Sequence, residues 1–361
     1  MDFKAQTGLL GLTKDELRAL CKELKLPAFK GDILFGWLQQ GVVDYNAMTN
    51  LSRKDREQLA ALYPLSLPQV IKEQVSKDGT TAKLLLDYGA DNYDNPQRVQ
   101  IELVIMLYNR RESRSRHTLC ISTQAGCAMG CAFCATGLSG LHRNLTAGEI
   151  VAQVLTGKLW LNRHGLGEVT NLVYMGMGEP FANYQQVMQS LRIINHPDGL
   201  NLGQRRVTVS TCGLVPEIKR FADEDAEFGL AISLHAPNDE LRSRLMPINR
   251  RYGLADLMAA CDYYTAKTNR RISYEYALLQ GVNDGKEQAQ ALAELLGGKL
   301  AHVNLIPVNF VEETGFLPSP AETLNEFAAI LNSRGIETTV REKRGSDIDG
   351  ACGQLRRNHN R

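Results

Sequence analysis

The feature that most constrains this chain is a rhythm of short strand-like runs. Seven recur after residue 116: "HTLCIST" (117–123), "NLVYMG" (171–176), "RVTVST" (206–211), "FGLAISLH" (228–235), "RISYEYALL" (271–279), "HVNLIPV" (302–308) and "IETTVR" (336–341). Between them lie stretches with apolar residues three to four apart, among them "TAGEIVAQVLTGKLWL", "YQQVMQSLRII", "LADLMAACDYYTAK", "KEQAQALAELLGG" and "AETLNEFAAILNS". Repeated strand–helix units imply a parallel sheet with helices outside it, because right-handed crossovers leave few other topologies. The choice is then an open doubly wound sheet or a full or partial barrel. Six or seven units in roughly 240 residues favour the barrel. The expected fold class is therefore α/β, a partial (β/α)6-type barrel. Chemistry is expected where its strands end, at their C-terminal edges.

The unusual residues fall at those edges. "CAMGCAFC" (127–134) follows the first strand, "GMGEP" (176–180) ends the second, "STCG" (210–213) the third, "SLHAP" (233–237) the fourth and "NLIPVN" (304–309) the sixth. A glycine-rich turn after a strand is usually only a turn. Five such stretches in register with the strand count describe one site on one face.

Cys127, Cys131 and Cys134 have the spacing C-x3-C-x2-C, and no fourth cysteine follows nearby. Thiolate metal sites usually close with four ligands. Three thiolates on a four-iron cluster leave one iron open, where a substrate or cofactor can bind. A zinc site completed by a distant ligand and three unrelated buried cysteines are the other readings. The chain has eight cysteines in 361 residues and no signal-peptide layout, so a disulfide framework is the weaker explanation for them.

The rest of the chain divides by composition. Residues 1–65 read as a helical accessory module: "LTKDELRALCKELKL" offers Thr13 and Glu16 as a capping box, "DILFGWLQQGV" and "SRKDREQLAALY" follow after "PAFKG" and "NAMTNLS", and Pro64 stops the last helix. Residues 66–108 read as a small β extension, with "TAKLLLDY" and "RVQIELVIML" joined by the turn residues "GADNYDNPQ". Residues 109–345 form the barrel and 346–361 a C-terminal loop. No apolar run approaches the ~20 residues of a membrane helix, which points to a cytoplasmic protein with no membrane partner. The net charge of +1 gives no global basic field. Arginine is concentrated locally, in "YNRRESRSRH" (108–117), "GQRR" (203–206) and "RRNHNR" (356–361). Such runs are either solvated surface or a local nucleic-acid contact.

The cysteine triplet after the first strand of a partial barrel, with "GMGEP" after the second, resembles the radical S-adenosylmethionine (SAM) enzymes. The resemblance implies a [4Fe-4S] cluster on Cys127, Cys131 and Cys134, with SAM chelated to the open iron. It assigns Gly178 and Glu179 to the methionine amino group, a charge-assisted contact that suits a carboxylate. Ser210, Ser233, Leu234, His235 and Asn309 would hold the rest of SAM.

"GSDIDGACGQL" (345–355), together with Cys120 seven residues before the triplet, resembles more closely the radical-SAM RNA methyltransferases, and so does the N-terminal module. Those enzymes methylate adenine C2 in 23S rRNA and tRNA, an electron-poor carbon that SAM's electrophilic methyl cannot attack directly. By resemblance, Cys352 accepts a methyl group as S-methylcysteine, Glu102 takes the C2 proton, and Cys120 resolves the protein–RNA adduct through a transient disulfide with Cys352. Two SAM molecules per turnover and an electron donor such as a flavodoxin or ferredoxin are then implied, with a monomer as the expected state. Relatives that methylate adenine C8 use the same two cysteines, and "NLIPVN" leans towards C2. Residues alone would leave Cys120 a core cysteine in an apolar strand, and Glu102 facing either solvent or a site. The stretch between Glu102 and Cys120 is longer and richer in arginine than the family leads one to expect. Arg110, Arg111, Arg114 and Arg116 are candidate RNA contacts. Cys21, Cys212 and Cys261 read as structural, and His142 and His302 as surface or core residues.

Overall fold

In the computed structural model of this chain the described residues are 8–90, 98–108, 115–309, 313–342 and 344–350. Three helices open the chain: α1 (Lys14–Glu23), α2 (Phe29–Gln39) and α3 (Arg53–Leu62). The Thr13–Glu16 capping box forms as the sequence suggests, and Ser52 caps α3 by accepting the Asp55 N–H. α2 begins earlier than expected, at Phe29 inside "PAFKG". Gly31 explains that start: a Cβ there would lie 2.5 Å from the Arg18 backbone nitrogen, so α2 can cross α1 closely only at a glycine.

The expected β extension contains one strand more than its sequence announced. β1 (Gln69–Val75) pairs antiparallel with β2 (Thr81–Ala90), which pairs antiparallel with β3 (Arg98–Tyr108). β1 is an almost wholly exposed edge, so it lacks the apolar alternation that marks a strand in sequence. β3 then pairs antiparallel with β4 (Arg116–Cys120), the first barrel strand, so extension and barrel share one sheet.

After β4 the chain makes a small antiparallel pair, β5 (Gln124–Gly126) with β6 (Leu141–Asn144), and the short helix α4 (Ala135–Leu138) lies between them. The parallel strands follow: β7 (Asn171–Tyr174), β8 (Val207–Thr211), β9 (Gly229–Ser233), β10 (Ile272–Leu278), β11 (Ala301–Pro307) and β12 (Glu337–Val340). Each of the seven predicted runs contains a strand. The sheet order β1-β2-β3-β4-β7-β8-β9-β10-β11-β12 leaves β1 and β12 as free edges, so this is a partial barrel and not a closed ring. The connecting helices are α5 (Ala147–Arg163), α6 (Tyr184–Asn195), α7 (Val215–Asp223), α8 (Asp239–Leu245), α9 (Leu254–Thr268), α10 (Lys286–Leu296) and α11 (Ala321–Ser333).

One hydrophobic core runs from the N-terminal helices through the barrel. Gln189 of α6 donates to the Gly11 carbonyl at 3.2 Å and to the Glu16 carboxylate at 2.6 Å, and the Phe35 ring meets His196 edge-on at 5.0 Å. The N-terminal module is thereby packed on the outside of the barrel. No helix among the described residues is long and apolar enough to cross a membrane. Strand residues spaced two apart, such as Thr208 and Ser210, Glu275 and Ala277, or Asn304 and Ile306, line the barrel interior.

Candidate active site

The cysteine loop is held at both ends by its own backbone. The Cys127 N–H donates to the Gly140 carbonyl at 2.9 Å, Cys134 N–H to the Cys131 carbonyl at 3.1 Å, and Ala132 N–H to the Leu245 carbonyl at 2.9 Å. The β5–β6 pair closes the loop base, and Gly126, at φ 80°, is required there because a Cβ would sit 1.9 Å from the Gly140 oxygen. All three cysteines are partly buried. Burial, chiefly, pushes the Cys127 thiol up to about 12 and raises Cys131 as well, and the negative charges of Cys134 and Glu179 add to both shifts. The three sulfurs thus sense one another, and a cationic iron group would offset what opposes their ionisation. Among the described residues no trio of His, Cys, Asp or Glu is gathered as the ligand set of a single metal ion. Thiolates on an iron–sulfur cluster each bind a different iron and stand further apart. Three soft donors on one loop, in the C-x3-C-x2-C spacing, fit a cluster with an open iron.

The "GMGEP" turn lies beside this loop. Gly178, at φ 99°, admits no side chain, since a Cβ would lie 2.5 Å from that of Gln124. Gly176 is equally confined, with the Ile121 carbonyl oxygen 2.6 Å from where a Cβ would be. Glu179 is buried; its two carboxylate oxygens accept the backbone N–H of Phe181 at 3.0 Å and of Cys212 at 2.8 Å. Burial raises its pKa, and these donors pull it back. Cys212, read as structural, touches the site through its backbone and its thiol: burial pushes the thiol well up, and Glu179, Cys131 and Cys127 beside it add to the shift.

A cavity of about 160 Å³ opens here, lined by Cys134, Gly178, Glu179, Ser210, Ser233 and His235 among others. Six of the residues named from sequence therefore converge on one space. Leu234 does not line it: its side chain is in the core, its N–H donates to the Glu275 carbonyl at 3.0 Å, and its carbonyl accepts from Arg242 at 3.2 Å. Asn309 follows β11 and is also outside the lining. His235 adopts a left-handed backbone at φ 56°, and its Nδ1 accepts the Ala277 N–H at 2.8 Å. Burial, with the Arg242 charge as a smaller cause, drops its pKa to about 3.

Arg242 escaped the sequence reading. It is wholly buried, and its guanidinium donates to the carbonyls of Leu234, Cys212 (2.7 Å) and Ser233 (3.2 Å) and to Asn249 Oδ1 (2.9 Å). One side chain thus ties together the turns after β8 and β9. The available signal was weak: Arg242 lies between Leu241 and Leu245 on the buried face of α8, where arginine ordinarily reads as the polar side.

A second group of sequence-named residues gathers at the β3–β4 junction. Cys120 is buried at the end of β4 opposite Val104. Glu102, two residues along β3 from Val104, shares the Cys120 face and lies nearer the C-terminal edge, where its carbonyl accepts from the Ser122 hydroxyl at 2.9 Å. Glu102 does not face solvent. It is fully buried, and its carboxylate lies 3.0 Å from the Lys83 ammonium, an ion pair not anticipated from sequence. The C-terminal segment reaches this spot: Lys83 Nζ donates to the Asp349 carbonyl at 3.2 Å, three residues before Cys352. Cys352 itself lies outside the described residues, as do Arg110, Arg111 and Arg114. Arg116 starts β4, with its guanidinium 3.9 Å above the Tyr108 ring, and lines a cavity of about 630 Å³ at the N-terminal end of the barrel. Arg116 is at the opposite end of β4 from the cysteine loop, and Met175, Glu275 and Arg341 line both its cavity and the one beside that loop. His302 is placed at the surface of β11, bonded to Thr339.

Residues 121–296 match the Radical SAM superfamily, and residues 7–64 match the ribosomal RNA large subunit methyltransferase N-terminal domain. A probable dual-specificity RNA methyltransferase RlmN of Clostridium novyi is 44% identical over 353 residues, covering 98% of each chain. Its counterpart in Desulfitobacterium hafniense is 45% identical over 348 residues, covering 96% of this chain and 95% of that one. A crystal structure of a radical SAM methyltransferase from Sphaerobacter thermophilus superposes with a TM-score of 0.90 at 46% identity, over 98% of this chain and all of that one.

Proposed function

This chain belongs to the radical SAM family of dual-specificity RNA methyltransferases, and we propose that it methylates C2 of adenosine in 23S rRNA and tRNA through an S-methylcysteine at Cys352. The observation that carries this reading is the meeting of three elements at one strand edge. Glu102 and Cys120 share a face, and the segment leading to Cys352 meets Lys83, the ion-pair partner of Glu102, through the Asp349 carbonyl.

Cys127, Cys131 and Cys134 would hold one [4Fe-4S] cluster, and Gly178, Glu179, Ser210, Ser233 and His235 would enclose SAM in the adjoining cavity. Leu234 and Asn309 would act through backbone and loop placement. When bound, cluster and SAM would supply a methyl group for Cys352 and the one-electron radical chemistry that activates this methyl. The residues of this chain do the rest. Cys352 carries the resulting carbon onto C2 and tethers the RNA. The adduct radical gives up one electron to the same flavodoxin- or ferredoxin-type carrier system that supplied one, and Glu102, a buried carboxylate, takes the C2 proton. Cys120 then attacks the Cys352 sulfur; the sulfur–carbon bond breaks towards the RNA, which picks up a proton to complete the methyl, and a Cys120–Cys352 disulfide remains to be reduced. Each cycle uses two SAM molecules and needs an electron donor of the flavodoxin or ferredoxin kind, and one chain carries every residue invoked.

The test is a peptide mass map of anaerobically purified protein, followed by nucleoside analysis of RNA treated with it. One added methyl on Cys352, absent in Cys352→Ala, together with 2-methyladenosine, is the expected result. A bare Cys352 after cluster reconstitution with SAM would overturn the mechanism, and 8-methyladenosine would move the product to C8.

A further inference from the structure

We propose that Lys83 is a positioning residue that docks the Cys352-bearing segment and ties that dock to the Glu102 carboxylate. The inference rests on the proposed function for its meaning, though not for its test. Lys83 is 2% exposed, in the middle of β2, where an ammonium is costly unless its hydrogens find acceptors. Two are supplied: Glu102 Oε1 at 3.0 Å and the main-chain carbonyl of Asp349 at 3.2 Å. One cation therefore bridges the proposed proton acceptor and the loop that carries the proposed methyl carrier.

The rest of the segment is shaped for this dock. Asp347 accepts the Lys77 N–H at 2.9 Å. Gly345 packs against Thr81 so closely that a Cβ would lie 2.8 Å from its methyl carbon, and the Gly350 N–H returns to the Gly345 carbonyl at 2.8 Å. The turn 345–350 is thus a compact unit seated on the β1–β2 hairpin, with Lys83 as its buried anchor. A loop that must offer Cys352 to SAM, to RNA and finally to Cys120 has to be held and released in turn. The bridge joins that hold to the group proposed to receive the C2 proton, because one buried ammonium serves both the Glu102 carboxylate and the Asp349 carbonyl.

Hydrogen–deuterium exchange of the full-length protein, read on peptides covering 345–350, tests the dock. Lys83→Met alone strands a buried carboxylate and can unfold the chain, so the informative variant is the neutral pair Lys83→Met/Glu102→Gln. Exchange in 345–350 should rise at least tenfold in the double variant. Glu102→Gln alone, which leaves Lys83 an amide oxygen and the Asp349 carbonyl, should stay near wild type. Lys83→Arg, keeping charge and donors, should restore most of the protection that Met removes, which a volume-filling role would not predict. Wild-type protection in the double variant would overturn the proposal. A bare Cys352 in the mass map would instead sink the methyl-carrier reading and leave the dock standing.

Discussion

His235 offers the sharpest quantitative prediction, because its protonation state follows from its geometry. Nδ1 accepts the Ala277 N–H at 2.8 Å, so that nitrogen carries no proton and the ring is neutral, with its hydrogen on Nε2. Protonation would replace an accepted hydrogen bond with two opposed N–H groups and set a cation in a buried site near Arg242. Its pKa of about 3 in the fold compares with 6.5 in an open chain. The unfolded state therefore binds the proton that the native state refuses. Stability from this group is complete above pH 6.5 and is lost as pH falls towards 3. By linkage the loss is about 2 kcal/mol at pH 5 and approaches about 5 kcal/mol across the whole span.

His235→Asn isolates this effect. Asparagine tolerates the left-handed backbone at φ 56° and can place its amide oxygen where Nδ1 accepts, but it does not titrate. Losing the ring that meets Phe133 edge-on at 4.7 Å costs on the order of 1 kcal/mol at every pH and cancels in the comparison. Urea unfolding of cluster-free protein should show that the wild type loses about 2 kcal/mol more than the variant between pH 7 and pH 5. Equal losses would mean that His235 is already charged in the fold, and the tautomer argument would fail.

Three further outcomes are expected. Arg242→Met leaves three carbonyls and Asn249 without their donor in a dry core, so stability should fall by about 3–5 kcal/mol by thermal unfolding, and Arg242→Lys should recover only part because one ammonium cannot span four acceptors. Gly178→Ala demands a left-handed alanine pressed on Gln124; calorimetry should show SAM binding weakened at least about tenfold with helix content retained, and unchanged affinity would detach this turn from SAM. Cys134→Ala should abolish the visible iron–sulfur absorbance after reconstitution, whereas undiminished iron and sulfide would show that the triplet does not hold the cluster.

What was legible in this sequence was whatever repeats or punctuates along the chain. The seven strands announced themselves by composition, and their ends carried the odd residues, so the pattern alone puts Cys134, Glu179 and Ser210 on one face. What was hidden depends on pairing across the sheet. "TAKLLLDY" carries a lysine in an apolar strand and "RVQIELVIM" a glutamate in another; the glutamate alone reads as facing either water or a site, and nothing local singles out the lysine. Only the register Lys83↔Val104 and Leu85↔Glu102, set by the antiparallel pairing of β2 with β3, turns both towards the same buried spot. Register also explains why the pair is so exacting: a shift of one residue would send Glu102 to the other face and strand both charges at once. Lys83 could not be found because its meaning is a relation between two strands and a C-terminal turn more than 260 residues away in sequence. A site that must bring three distant segments together at one strand edge is least visible in the residue that holds them there.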